Sequence, residues 1–196
     1  MFVFITSIRH PRNSKNYPRV CSLLETTLCS VLRQTNKHFK IIVVCNEIPP
    51  NPLRDEKIDY LQVNFSPPSM LKTSTTGMKA IRRDRGSKYA VGLAHAKQYN
   101  PQFVMFFDAD DFVSPQIVEY TLSKPNAHGW TSSTGYQLDA KFMRVSELEN
   151  FYEFCGTTNI FHFTLLEPYL KNIDSYDSQE HILKTIDSYF LHSILG

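Results

Sequence analysis

Apolar positions fall into two patterns that alternate along the first half of the chain. Short, nearly unbroken runs rich in β-branched and aromatic residues, Phe2 to Ile8, Lys40 to Glu47 and Phe103 to Phe107, read as strands buried on both faces. A shorter run, Asp59 to Phe65, reads as a further strand. Between the runs the spacing becomes helical. Cys21, Leu24, Leu28 and Val31 recur at three- and four-residue steps in a helix that Pro18 opens and that runs to about Gln34. Tyr89, Leu93 and Ala96 mark a second helix, which the pattern starts at about Gly86 and which Asn100-Pro101 ends. Strand and helix in alternation predict an α/β fold, a mixed but mostly parallel sheet flanked by helices.

The second half changes character. It predicts a short helix from Pro115 to Leu122 capped by Ser114, and an alternating strand from Trp130 to Asp139. An aromatic stretch from Phe151 to Phe163 is broken at Cys155 to Asn159, and a last helix from about Ser178 to Leu195 buries Ile182, Leu183, Ile186 and Phe190. No linker or repeat separates the halves, so residues 1–196 read as one domain with a specialised second half.

Composition adds bounds. With 196 residues, 42% hydrophobic and 13% aromatic, the chain can bury a sizeable core. A formal charge of +2 gives no reason to expect nucleic acid or an anionic membrane as partner. Cys21, Cys29, Cys45 and Cys155 have no Cys-x-x-Cys pair and no zinc spacing, so buried free thiols in a reducing compartment are expected, with Cys21 and Cys29 filling core. Met1 to Thr6 lacks a basic leader and a cleavage site, and no apolar run approaches the about 20 residues of a membrane helix. These features predict a cytoplasmic protein without a transmembrane segment. The end at Leu195-Gly196, with no polar tail, suggests a truncated or minimal version.

The candidate chemistry begins where the strand Phe103 to Phe107 runs into Asp108, Asp110 and Asp111. Unpaired carboxylates inside a sheet would cost several kcal/mol each, so the acids belong at the strand's carboxyl end, where open α/β sheets bind ligands. Alternation along an extended chain would point Asp108 and Asp110 to one side and Asp111 away. Two hard oxygen ligands suit Mg²⁺ or Mn²⁺ carried by a nucleotide diphosphate, with Asp111 the structural member. Elsewhere, Arg9 to Asn13 gathers cations at the end of the first strand, and Asn46 can donate to and accept from a base. Lys79, Arg82, Arg83, Arg85 and Lys88 surround Asp84 and Gly86; a basic cluster before a helix can hold a diphosphate, with Lys88 and Arg83 the best placed. Neither a Walker loop nor a Gly-x-Gly-x-x-Gly fingerprint is present.

This order of parts resembles the GT-A glycosyltransferases, most closely the family-2 nucleotide-sugar transferases. The resemblance rests on Thr6-Ser7, on Val43 to Glu47, on the helix Gly86 to Ala96 and above all on Phe106 to Asp111, which looks like the family's Asp-x-Asp element. It covers about residues 1 to 125, leaving 126–196 as an acceptor-side half. It implies a UDP-sugar or other nucleotide-diphosphate sugar as donor and a carbohydrate or glycolipid acceptor. By position it implies Thr6, Ser7 and Asn46 near ribose and base, and Asp84 and Lys88 near base and phosphates. Asp108 would contact ribose or metal-bound water, and Asp110 would ligate Mn²⁺ or Mg²⁺ and so share in catalysis. The family's base stands downstream in an acidic pair that this chain lacks; Glu180 sits about where it would be, with Asp177 and Asp187 as rivals. The Gln-x-x-Arg-Trp acceptor motif of processive members is also absent, which argues against a polymer synthase.

The reaction implied is an inverting transfer to an acceptor hydroxyl. Two other readings compete: a nucleotide-sugar-binding protein without turnover, and an Asp-x-Asp phosphatase, whose pair normally follows the first strand and is not followed by Asp-Phe.

Overall fold

The computed structural model describes residues 1–66, 68 and 77–170. Six strands form one sheet in the order β3-β2-β1-β4-β8-β5. They are β1 (Phe2–Ser7), β2 (Phe39–Cys45), β3 (Ile58–Gln62), β4 (Phe103–Asp108), β5 (Gly129–Thr131) and β8 (Asn159–His162). Between β5 and β8, β6 (Thr134–Asp139) and β7 (Arg144–Glu149) make a separate two-stranded ribbon. The helices are α1 (Tyr17–Leu32), α2 (Gly77–Ala96) and α3 (Ile117–Leu122). β1 pairs in parallel with both β2 and β4, and β2 with β3, whereas β8 runs antiparallel to β4 and β5. The sheet is therefore mixed and mostly parallel, flanked by helices, the architecture that the alternating pattern predicts.

Both faces of the central strands are buried, which explains their unbroken apolar runs. On one face Phe2, Phe4, Ile41, Val43, Phe103, Met105 and Phe107 meet Leu24, Leu28 and Val31 of α1 and Val118 of α3. On the other, Val3, Ile5, Ile42, Val44, Val104 and Phe106 meet Tyr89, Leu93 and Ala96 of α2 together with Phe163, Leu166 and Leu170. α2 lies close on the sheet at Gly92, where a Cβ would come within 2.6 Å of Ile5 Cγ2.

Several boundaries differ from expectation. α2 begins at Gly77, well before Gly86. Lys79, Ala80, Arg82, Arg83 and Arg85 are good helix formers, and the buried Gly86 is carried inside the helix by packing on the sheet. The basic cluster is thus a helical turn and not a loop preceding one. α3 starts two residues late, at Ile117, and its Gln116 cap makes no side-chain hydrogen bond. Gln34 substitutes from a distance: its buried amide accepts the Val118 N–H (3.0 Å) and donates to Ser114 O (2.7 Å). Cys29 is exposed and Cys21 half-buried, because one residue beyond Leu28 turns Cys29 about 100° off the apolar stripe. The strand expected over Trp130 to Asp139 is broken at Ser132-Ser133 into β5 and β6, and β7 completes a hairpin that the alternation alone did not reveal. The helix expected from Ser178 to Leu195 lies outside the described residues, as does most of the polar stretch from Ser66 to Gly77.

Candidate active site at the carboxyl edge of the sheet

The strand order reverses between β1 and β4. The chain leaves β1 through α1 to β2 and then β3 on one side, and α2 carries it back to β4 on the other. In open α/β sheets ligands bind at such a switch point, outside the carboxyl ends of the strands; here α1 and α3, which follow β1 and β4, pack on one face, and α2, which leads into β4, covers the other. Ser7 and Asp108 stand side by side there in the register of β1 and β4, and Asn46 follows the last residue of neighbouring β2. The acids therefore lie at a topologically favoured place for a ligand.

Their arrangement is not that of an extended strand. β4 ends at Asp108, and the chain turns so that the Asp111 N–H donates to Asp108 O (3.2 Å). Asp111 is taken up by the loop before β8: its carboxylate accepts from the Thr157 hydroxyl and from the Cys155 thiol (3.1 Å). The same Thr157 Oγ1 accepts the Asp108 N–H (2.9 Å), so one side chain ties both ends of the turn. Asp108 meets Arg85 Nη2 at 2.5 Å. Asp110 is exposed at the apex, and among the described residues its carboxylate has no hydrogen-bond or ion-pair partner. Burial pushes the Asp108 carboxyl above the usual range; Arg85 opposes this, and the nearby Asp111 and Asp110 charges add to it.

α2 supplies the other wall. Arg85, Tyr89, Gly92 and Ala96 share one stripe toward the sheet at four- and three-residue steps. The Arg85 Nε–H donates to Tyr89 Oη (2.9 Å), and the Tyr89 ring lies 4.9 Å from that of Phe106. Next to Tyr89 in sequence, Lys88 is fully buried; its ammonium donates to Ile8 O (2.9 Å) and to Asp84 Oδ2 (2.7 Å). Lys88 thus clamps the end of β1 and meets this edge only through Asp84, whose carboxyl burial pushes up while Lys88 pulls it down. Arg83 is exposed. From the β1–α1 loop, buried His10 accepts the Arg12 N–H at Nδ1 (3.0 Å) and faces Glu47 (3.4 Å).

At this edge Asn46 Oδ1 and Asp84 Oδ1 are buried without a hydrogen-bond partner among the described residues; Thr6 Oγ1 is also unpartnered, but it lies on the α1 face in line with Phe4 and Ile8. The Asn46 amide group donates to Phe65 O (3.1 Å), which fixes its orientation and leaves the oxygen over. Buried polar atoms without a partner are uncommon. Of the residues singled out from the sequence, the structure brings Thr6, Ser7, Asn46, Asp84, Lys88, Asp108 and Asp110 to this one edge. Glu180, Asp177 and Asp187 lie outside the described residues. Arg85 as the partner of Asp108, Thr157 and Cys155 were not singled out. The role of Arg85 would have been legible had the helix been read from Gly77; Thr157 and Cys155 have no local signal, since their partner is more than forty positions away.

Among the described residues, no group of three or more His, Cys, Asp or Glu side chains is arranged to hold a metal ion. The donor set fits a hard divalent cation only as a shared site: Asp110 has a free carboxylate and Asp108 a second beside it, and Mg²⁺-like ions take one or two carboxylates plus phosphate oxygens and water.

Fold and site together define an α/β protein with an acid-bearing turn at the switch point of a mixed, mostly parallel sheet. No protein-family model and no curated protein matches the sequence. Among solved structures, a fragment of Staphylococcus aureus TarS (residues 1–349) is 16% identical with a TM-score of 0.45, over 94% of this chain and 54% of that one. The same protein in complex with UDP-GlcNAc is 14% identical with a TM-score of 0.46, over 85% of this chain and 46% of that one. Francisella tularensis 2-C-methyl-D-erythritol 4-phosphate cytidylyltransferase is 13% identical with a TM-score of 0.44, over 99% of this chain and 86% of that one. The chain spans about half the length of the TarS fragment. With TM-scores below 0.5, these likenesses concern the general path of the chain and assign no residue a role.

Proposed function

We propose that this protein is a metal-dependent glycosyltransferase that moves a sugar from a nucleotide-diphosphate donor, such as a UDP-sugar, to a hydroxyl of a carbohydrate or glycolipid acceptor, with inversion. The observation that carries the reading is the acid-bearing turn Asp108–Asp111 at the switch point, beside the strand ends that carry Ser7 and Asn46. In this reading Ser7 and Asn46, at the ends of β1 and β2, stand near ribose and base, with Thr6 and Asp84 behind them. The diphosphate would then lie over the turn. A Mn²⁺ or Mg²⁺ ion shared between Asp110, Asp108 and the phosphates would supply the positive charge that stabilises the leaving group. Arg85 holds Asp108 in place and adds a second positive charge at the same point. Thr157, by accepting the Asp108 N–H and donating to the Asp111 carboxylate, fixes the backbone of the turn from which Asp110 projects.

In this reading residues 1–125 are the donor half and 126–196 the acceptor half of a single GT-A-like domain, and Glu180 is the acceptor's base. The test is turnover. Incubation with a panel of UDP- and GDP-sugars and Mn²⁺ should release the nucleoside diphosphate, faster with simple glycoside acceptors, and Asp110→Ala should abolish the release. Metal-dependent donor binding without release over long incubation would favour a binding protein, and phosphate release from simple phosphomonoesters a phosphatase.

A further inference from the structure

The β6–β7 ribbon is the least covered element among the described residues. Every residue from Thr134 to Glu149 is exposed except Gly135 and Leu148, which are half-buried near its base, where Gly135 abuts the Phe151 ring. A two-stranded ribbon exposed on both faces is marginally stable in water, so a covering surface is called for. Cross-strand register sorts its side chains. Tyr136, Leu138, Val145 and Glu147 share one face, and Gln137, Ser146, Asp139 and Arg144 the other. The apolar character increases toward the turn: Leu138 is 49% exposed, Val145 64%, Phe142 59% and Met143 81%. Met143 also sits at φ +49°, a left-handed conformation that usually falls to glycine or asparagine. A large apolar side chain is thus held at the most exposed point of the ribbon against local backbone preference.

Cations outnumber acids at the tip, where Lys141 and Arg144 stand with Asp139. Lys141 and Arg144 flank the two apolar residues, each cation over the Phe142 ring (5.1 and 5.9 Å), and among the described residues neither pairs with a carboxylate. Asp139, the nearest acid, accepts the N–H groups of Lys141 (3.0 Å) and Phe142 (3.2 Å), so its carboxylate faces into the turn. We propose that this tip is a membrane finger: Phe142 and Met143 enter the interfacial layer of an anionic phospholipid bilayer while Lys141 and Arg144 contact its headgroups. A bilayer interface offers an apolar layer beneath a negative one, in the order the tip presents them. The chain's overall charge of +2 conceals this local arrangement. The finger is rooted at the carboxyl edge of the sheet, since β5 runs parallel to β4 and Thr131 pairs with Asn159, two residues after Thr157. Docking would therefore hold the acid-bearing turn near the membrane surface.

The test is cosedimentation of the full chain with sucrose-loaded vesicles, of phosphatidylcholine alone or with about one third phosphatidylglycerol, alongside circular dichroism of each variant. Binding to the anionic vesicles is expected, weakened by high salt. Phe142→Ser/Met143→Ser should lower the partition coefficient at least tenfold, and Lys141→Glu/Arg144→Glu should remove the preference for anionic lipid. Met143→Gly, which relieves the left-handed backbone and so leaves the turn intact, should also weaken binding. In Phe142→Trp, bromine-labelled lipid should quench the new emission. Failure of the wild-type chain to sediment with anionic vesicles, or equal binding by the tip variants, overturns the proposal. So does emission from the introduced indole that is already shielded without vesicles, which would mean that a second copy or this chain's own residues cover the tip.

Discussion

The buried pair Lys88–Asp84 gives the sharpest prediction about what holds the carboxyl edge of the sheet together. Lys88 is 1% and Asp84 11% exposed at the side chain, and the ammonium also holds Ile8 O at the end of β1. Lys88→Met leaves a buried carboxylate and a buried carbonyl without their donor. Removing one partner of a buried pair costs about 3–5 kcal/mol. With a urea slope of about 2 kcal/mol/M, the unfolding midpoint should fall by about 2 M. Lys88→Met/Asp84→Leu should recover most of that loss, since an apolar pair of similar volume is often as stable as the ions it replaces. The raised Asp84 carboxyl shows which way the balance leans, because desolvation outweighs the attraction of Lys88. A carboxyl raised in the folded state adds stability below its unfolded value, about 3.9, and that stability is lost as pH rises through the folded value. The stability of wild type relative to the double variant should therefore decline from about pH 4 upward. Urea unfolding at several pH values checks both statements. A Lys88→Met loss below about 1 kcal/mol would mean that the pair is solvated, and the account of this wall would be wrong.

Three further outcomes follow from the site. Thr157→Val keeps shape but strips the partner from the Asp108 N–H and one of two donors from Asp111, so stability should drop by about 1–3 kcal/mol with weaker nucleotide binding; unfolding and titration with UDP and Mn²⁺ read both. Burial pushes Cys155 up to about 11 and Cys45 up to about 12, whereas Cys29 is exposed. At pH 8, alkylation followed by peptide mapping should find the exposed Cys29 modified first and Cys155, half-buried and with its thiol pushed up, more slowly. Gly92→Ala forces a methyl to 2.6 Å from Ile5 Cγ2; overpacking of about 1–3 kcal/mol, less about 1 kcal/mol of helix propensity, should leave it neutral to about 2 kcal/mol destabilised in thermal unfolding.

The parallel core was legible because a strand buried on both faces has no freedom in its pattern: Phe2 to Ile5, Ile41 to Val44 and Phe103 to Phe107 could be little else. From there the switch point and the edge carrying Asp108 follow from chain order. Contacts between distant segments were not legible. Gln34 caps α3 from across the fold, and Thr157 reaches the acidic turn from another strand's approach; neither leaves a periodic signal. The start of α2 was hidden for a different reason. Its first two turns are rich in charge and carry too few apolar residues, Met78, Ala80 and Ile81, to mark a helical stripe, so Gly86 looked like a boundary although it lies within. That misplacement concealed the part played by Arg85, the cation that contacts Asp108. The β6–β7 ribbon escaped because one of its arms is largely polar and neither face is buried.

The central claim is that the turn Asp108–Asp111 binds a nucleotide diphosphate together with a divalent cation. Calorimetric titration with UDP and GDP, each with and without Mn²⁺, on wild type and on Asp110→Asn, tests it most directly. Asp110 is exposed and without a partner among the described residues, so the substitution should leave the unfolding midpoint unchanged. Binding of one nucleotide is expected, requiring Mn²⁺ in wild type and lost in Asp110→Asn. No nucleotide binding, or equal affinity with and without the metal in both proteins, would contradict it.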